Sequence, residues 1–116
     1  MCSEGNAMKQ ILLTLFLSIT PITVFAGFTD GNELHEWLLE DEKENGSSFQ
    51  AGLFKGYVGG VVDLGDGILF CTTTGVTRGQ FSAVVAKYLK NNPEKWNKSA
   101  DVIVTDAMKA AFPCKK

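Results

Sequence analysis

The chain has 116 residues, 45% of them hydrophobic and 21% charged, with a net charge of −2. That length fits one domain. With no basic excess to neutralise phosphates, nucleic acid is excluded as a partner at this level. The N-terminal stretch reads as a leader. Met8-Lys9-Gln10 gives a short positive start, Ile11 to Phe25 is almost wholly apolar, and Val24-Phe25-Ala26 ends on a small residue before Gly27. This is the layout of a secretory signal peptide, and the apolar run is short for a membrane span. The expected boundaries are a leader over 1–26, cut after Ala26, and a single domain over 27–116. A retained N-terminal anchor is the alternative. Residues 1–7 precede the natural start at Met8 and read as an upstream start or a cloning remnant.

Export implies an oxidising space. Cys2 leaves with the leader, so Cys71 and Cys114 are expected to pair, two free buried thiols being the alternative. Such a bridge is worth about 4 kcal/mol in the chain-entropy picture, comparable to the whole net stability of a small domain.

The first element is expected at about 33–44. Asn32 is a plausible N-cap, Leu34, Trp37 and Leu38 follow at helical spacing, and Asn45-Gly46 ends the run. Glu33, Glu36, Glu40, Asp41, Glu42 and Glu44 crowd this segment, while most lysines lie in the second half. Both runs read as solvated faces.

A second helix is expected from Ser48 to Asp63, with Phe49, Leu53, Tyr57, Val61 and Leu64 as its stripe. Gly52, Gly56 and Gly60 form a ridge without side chains beside that stripe. Each interior glycine costs a helix ~1 kcal/mol relative to alanine, so the ridge needs a reason. A tight crossing inside the fold is the first expectation, a subunit interface the second and a ligand loop the third. The phosphate-loop reading fails because no Gly-Lys-Ser/Thr follows. The segment 63–75 is a connection punctuated by Gly65, Gly67 and Gly75. Asp63 and Asp66 lack the ligand ladder of a calcium loop, so no metal is expected.

The third helix opens on a capping box, Thr77 with Gln80. Phe81, Val84, Val85 and Tyr88 point inward, Lys87 and Lys90 outward, and Asn91-Asn92-Pro93 stops the helix. Asn92 suits a left-handed cap, and Glu94, Lys95 and Trp96 form a short turn. A last helix starts near Ser99, capped by Asn97 or Ser99, with Ala100, Ile103, Val104, Ala107 and Ala111 on one face. Phe112-Pro113-Cys114 ends it and delivers Cys114 to its partner. The fold class is all-α: a small disulfide-stapled bundle of four to five helices.

Catalytic chemistry is sparse. The single histidine, His35, sits in an acidic helix with no nucleophile in view and reads as a surface residue. Neither cofactor nor enzymatic activity is expected. A small stapled helical module of this kind acts by binding.

The blocks "GYVGGVVD" (56–63), "FCTTTGVTRGQ" (70–80), "VVAKYLKNNPE" (84–94) and "AMKAAFPC" (107–114) resemble the Rap/Tai immunity proteins of bacterial type VI secretion. The likeness covers about 27–116. It implies an all-helical periplasmic protein, commonly a homodimer, that neutralises a peptidoglycan amidase effector. The chain departs from the family at a second cysteine pair, replaced here by Phe54 and by Leu38 or Leu39. It also carries Thr72-Thr73-Thr74 where relatives often have a proline close behind the cysteine. An inhibitor that plugs a groove needs a rigid protruding loop, because ordering a floppy one costs affinity. Two segments qualify: the connection 65–76 and the turn 91–98. The partner-binding residues expected on them are Asp66, Thr72, Thr73, Thr74, Arg78, Asn92, Lys95 and Trp96. Trp96 is either a binding hot spot or a lid over the core. The rival functions are a periplasmic acid-stress chaperone, with the acidic helix as its pH trigger, and a housekeeping envelope binding protein.

Overall fold

The computed structural model describes residues 28–43 and 46–115. The leader expected over 1–26, with Cys2, falls outside the described residues. Four α-helices follow in order: α1 (Gly31–Lys43), α2 (Phe49–Gly65), α3 (Arg78–Asn91) and α4 (Ala100–Ala111), with a 3-10 turn at Pro93–Lys95 before α4. Among the described residues there is no β-strand. Two isolated bridges occur, Asp30 with Ser99 and Asp66 with Phe70. The all-α bundle expected from the sequence is therefore the fold.

Helix α1 starts two residues earlier than its pattern indicates. Its first-turn Glu33 N–H donates to Asp30 Oδ1 at 2.9 Å, so Asp30 takes the capping role expected of Asn32. Asn32 instead donates both its backbone N–H (2.9 Å) and its Nδ2 (3.1 Å) to Trp96 O. Gly31 N–H donates to Lys98 O at 2.9 Å. These bonds dock the start of α1 on the turn before α4. The approach is so close that a Cβ on Gly31 would stand 2.6 Å from Trp96 Cα and 2.7 Å from Trp96 O.

Helix α2 is capped by Ser48, whose Oγ accepts from Ala51 N at 3.1 Å. Its buried face is not the expected stripe. Ala51, Phe54, Val58, Gly59, Val62 and Gly65 are buried, while Phe49 is 76% exposed and Leu64 is 80% exposed. Leu53, Tyr57 and Val61 lie between these extremes. The true stripe is rotated by one residue, about 100° around the axis. The glycine ridge turns outward with it. A Cβ added at Gly52, Gly56 or Gly60 would meet nothing within 4 Å. The tight internal crossing expected at those three glycines is thus not made within this chain.

Helix α3 carries the capping box in full. Gln80 N–H donates to Thr77 Oγ1 at 3.2 Å, and Thr77 N–H donates to Gln80 Oε1 at 2.8 Å. Phe81, Val85 and Leu89 are its buried residues, with Val84 and Tyr88 packed at the edge of the core. Asn92 does not adopt the left-handed conformation expected of it (φ −128°, ψ 59°). Its side chain closes the helix by donating to Tyr88 O at 2.7 Å. Helix α4 buries Ala100, Ile103, Val104, Ala107 and Met108. Ala111, expected on that face, is exposed. Ser99 precedes the helix but gives its hydroxyl to Asp101 rather than to a helix N–H.

The four buried faces meet in one apolar core, with Phe54, Phe70, Leu34 and Leu38 among its largest members. No polar or charged residue among those described is buried in it. Leu38 and Phe54 belong to this core, while Leu39 is 47% exposed. Of the two leucines, Leu38 is thus the one that shares the core with Phe54. Cys71 and Cys114 are joined across a separation of 43 residues. Beside the bridge, Cys71 N–H donates to Phe112 O at 2.8 Å.

Candidate functional site

The connection between α2 and α3 is built as a rigid spur. Helix α2 ends where Asp66 N–H donates to Val62 O at 2.9 Å. A tight turn follows, with Leu69 N–H bonded to Gly65 O (2.8 Å) and Gly67 N–H to Phe70 O (2.8 Å). The chain reverses through Gly67 at φ +80°, a region that side chains rarely occupy. Phe70 is fully buried and anchors the turn. Its ring edge lies 2.7 Å from where a Cβ on Gly65 would stand, so only glycine lets the ring seat there.

Asp66 clamps the far side of the spur. Its Oδ1 accepts from Thr72 N at 2.8 Å and its Oδ2 from Thr72 Oγ1 at 2.6 Å. These two bonds, the hydroxyl first, hold the Asp66 carboxyl below the usual aspartate range. The disulfide then fastens the next turn of chain to the end of α4. The segment is thus held by its own bonds, by a buried anchor and by a covalent staple.

The spur is apolar where it meets solvent. Ile68 is 78% exposed and Leu69 is 48% exposed, beside Leu64 on the last turn of α2. Thr73, Thr74 and Gly75 continue the exposed rim. Three large apolar side chains held outward, two on a stiffened turn and one on the helix end beside it, are an exposed apolar patch and make this the candidate binding surface. The sequence marked the connection and its threonines, but not these three residues, because apolar side chains read from a sequence default to the core.

The eight residues expected to contact a partner fall into two groups. Asp66, Thr72, Thr73 and Thr74 lie together on the spur, and Arg78 opens α3 directly after it. Asn92, Lys95 and Trp96 lie at the other end of α3, about 20 Å away by helical rise. That second group is tied inward. Trp96 is half-buried, stacks on His35 with ring centroids 3.9 Å apart, and donates its Nε1–H to Leu89 O at 2.8 Å. Lys95 Nζ donates to Tyr88 Oη at 2.7 Å and sits 5.0 Å from the centre of that ring. The same hydroxyl raises the Lys95 pKa. The geometry of Trp96 is that of a lid over the core. His35, expected as a plain surface residue, is half of that lid.

Among the described residues no group of three or more His, Cys, Asp or Glu side chains could hold a metal ion. No described helix is long and apolar enough to cross a membrane.

A family model described as Rap1a immunity proteins matches residues 30–114. Those bounds run from the Asp30 cap of α1 to the disulfide cysteine that closes the fold. No curated protein matches the chain.

Proposed function

The chain belongs to the Rap1a immunity protein family, and from that premise we propose that it protects its producer by occluding a peptidoglycan amidase effector of type VI secretion. The coarser statement follows from the family itself: an immunity protein binds and neutralises a secreted effector. The spur supports the finer one. An exposed apolar tip, Ile68 and Leu69, stands on a segment that the Asp66–Thr72 bonds and the Cys71–Cys114 bridge have already ordered. Binding such a tip forfeits little conformational entropy, which favours high affinity. The protein works without catalysis by filling the effector's substrate groove.

This reading places the protein in the periplasm, where the leader over 1–26 would deliver it and where a bridge such as Cys71–Cys114 is stable. It also carries a homodimer. The outward glycine ridge of α2, with Phe49 exposed at its start, suits close packing against the same face of a second copy.

Co-expression with a periplasm-directed amidase effector tests the proposal. The protein prevents lysis, and Ile68→Asp with Leu69→Asp removes protection while leaving the thermal melt unchanged. Protection that survives that double substitution would show that the spur is not the inhibitory element.

A further inference from the structure

The two halves of the disulfide stand in different surroundings. Cys71 is half-buried, and both of its neighbours are fixed: Phe70 is fully buried, and Thr72 N–H donates to Asp66 Oδ1 at 2.8 Å. The N–H of Cys71 itself donates to Phe112 O at 2.8 Å. Cys114 is exposed, as are Pro113 and Lys115 on either side of it. These three residues lie beyond the end of α4 in an irregular segment. Pro113 has no N–H, and the N–H groups of Cys114 and Lys115 find no hydrogen-bond partner among the described residues. One cysteine belongs to the frame of the spur, and the other to an open stretch of main chain.

Contacts other than the sulfur bond already bring the two together. Phe70 seats the spur in the core, and Phe112 packs against the same core. Phe112 N–H closes α4 on Met108 O at 2.7 Å. The Cys71–Phe112 bond then joins the two segments, and the Cα atoms of the cysteines stand 4.8 Å apart. A reduced chain that has made these contacts holds its thiols side by side, with one of them facing out.

Thiol–disulfide exchange is the attack of a thiolate on one sulfur, so its course depends on which sulfur a partner can reach. A protein partner reaches Cys114 in its open segment before Cys71, which sits between a buried ring and a clamped threonine. We propose that Cys114 is the point of attack for a thiol–disulfide oxidoreductase and that Cys71 is the resolving cysteine. In the forming direction the Cys114 thiolate attacks the enzyme's disulfide, a mixed disulfide forms, and the enzyme's second sulfur leaves as a thiolate. The Cys71 thiolate then attacks the Cys114 sulfur, and the enzyme's first sulfur leaves. One bridge has formed here, the enzyme's disulfide has become a dithiol, and two electrons and two protons have passed to the enzyme. The free main chain at Cys114 and Lys115 offers that enzyme a short strand to pair with. Because Cys71 acts second and is placed by Phe70 and Phe112, the spur is folded before it is stapled. Oxidation is then the last step of maturation.

The test uses the bridged protein and, as probe, a reduced thioredoxin whose second active-site cysteine is replaced by serine, so that the mixed disulfide persists. After quenching with N-ethylmaleimide, peptide mass spectrometry reads which cysteine carries the enzyme and which the maleimide. The product with the enzyme on Cys114 and maleimide on Cys71 exceeds its converse by about tenfold or more, since access decides the sulfur attacked. In concentrated urea the preference falls towards equality. As a second measure, the reduced protein keeps its helical circular dichroism, and less than one equivalent of iodoacetamide labels Cys114 first. Enzyme on Cys71, equal amounts on both, or a preference undiminished in urea overturns the proposal. So does the absence of any adduct from the folded protein where the unfolded one reacts. A reduced protein without helical signal overturns the claim that folding comes first. The inference needs the proposed export only for the meeting with an oxidant, and no effector enters the assay. A result against it therefore leaves the inhibitory reading standing, and failure of the spur variant to lose protection leaves this one standing.

Discussion

Replacing Gly52, Gly56 and Gly60 together by alanine should stabilise the folded monomer. All three lie inside α2, and a Cβ at each meets open space. The substitution therefore removes a helix penalty of about 0.8–1 kcal/mol per site without a clash. The sites do not touch one another through new side chains large enough to couple, so the gains should add to ~2–3 kcal/mol. For a domain of this size each kcal/mol moves the melting temperature by roughly 4–8 °C, which predicts a rise of about 10–20 °C. The assay is urea unfolding followed by helical circular dichroism at low protein concentration, where association contributes least. The midpoint should rise with the slope unchanged. In parallel, sedimentation at higher concentration should show weaker self-association, because three methyl groups would hold apart the two α2 faces of the proposed homodimer. Stability and assembly would move in opposite directions. An unchanged or lowered midpoint would refute the claim that the ridge faces outward.

The glycines that do touch something should behave oppositely. Gly65→Ala drives a methyl into the buried ring of Phe70, and Gly31→Ala drives one into the backbone of Trp96; each should cost about 1–3 kcal/mol in the same unfolding assay. Cys71→Ser with Cys114→Ser should lower stability by about 4 kcal/mol, with a matching fall in melting temperature when the wild-type protein is reduced. The Asp66 carboxyl should titrate below the usual aspartate range when followed by NMR. Its depressed pKa means that the clamp's contribution is fully present above the unfolded value and is lost as pH falls through the folded one. Thr72→Ala should raise that midpoint towards the ordinary range and speed amide exchange in the spur. Trp96→Ala should destabilise by about 2–3 kcal/mol, since it uncovers the core, and should leave effector binding by the folded protein intact.

Much of the fold was legible because its signals are chemical rather than periodic. Thr77 and Gln80 read as a capping box and make both of its bonds. If the expected leader is set aside, Cys71 and Cys114 have one possible partner each, and they are joined. Helix α2 shows where legibility ends. A helical period fixes the angles between residues but not which direction faces the core. That direction is normally read from charges, and α2 carries only Lys55 and Asp63. Two apolar stripes therefore competed, and the larger side chains of Phe49, Leu53, Tyr57, Val61 and Leu64 favoured the one that lies at the edge of the core, exposed at both ends. The core chose Phe54, Val58 and Val62 because Phe54 stands with Leu38 of α1 in the same buried cluster. That pairing is long-range and leaves no local mark.

The candidate surface was half legible for a related reason. Glycines at 65, 67 and 75 announced a connection, and Asp66 stood out as a polar residue. Its use, accepting twice from Thr72, depends on a chain reversal that only the positive φ of Gly67 produces. The outward direction of Ile68 and Leu69 follows from the same reversal. Trp96 read equally well as hot spot or lid. Its stack on His35 comes from an element distant in sequence, and its bond to Leu89 O, seven residues back, needs the fold-back at Pro93–Lys95.

One consequence follows from how the spur is fastened. Its fixed points are Gly65, Phe70, the Asp66–Thr72 clamp and Cys71, whereas the side chains of Ile68, Thr73 and Thr74 are exposed to solvent. The two sets interleave in the chain without sharing a duty. Mutation can rewrite the outer set freely while the frame keeps its shape, so a lineage could retarget such a defence to a drifting toxin in a few steps without having to refold it.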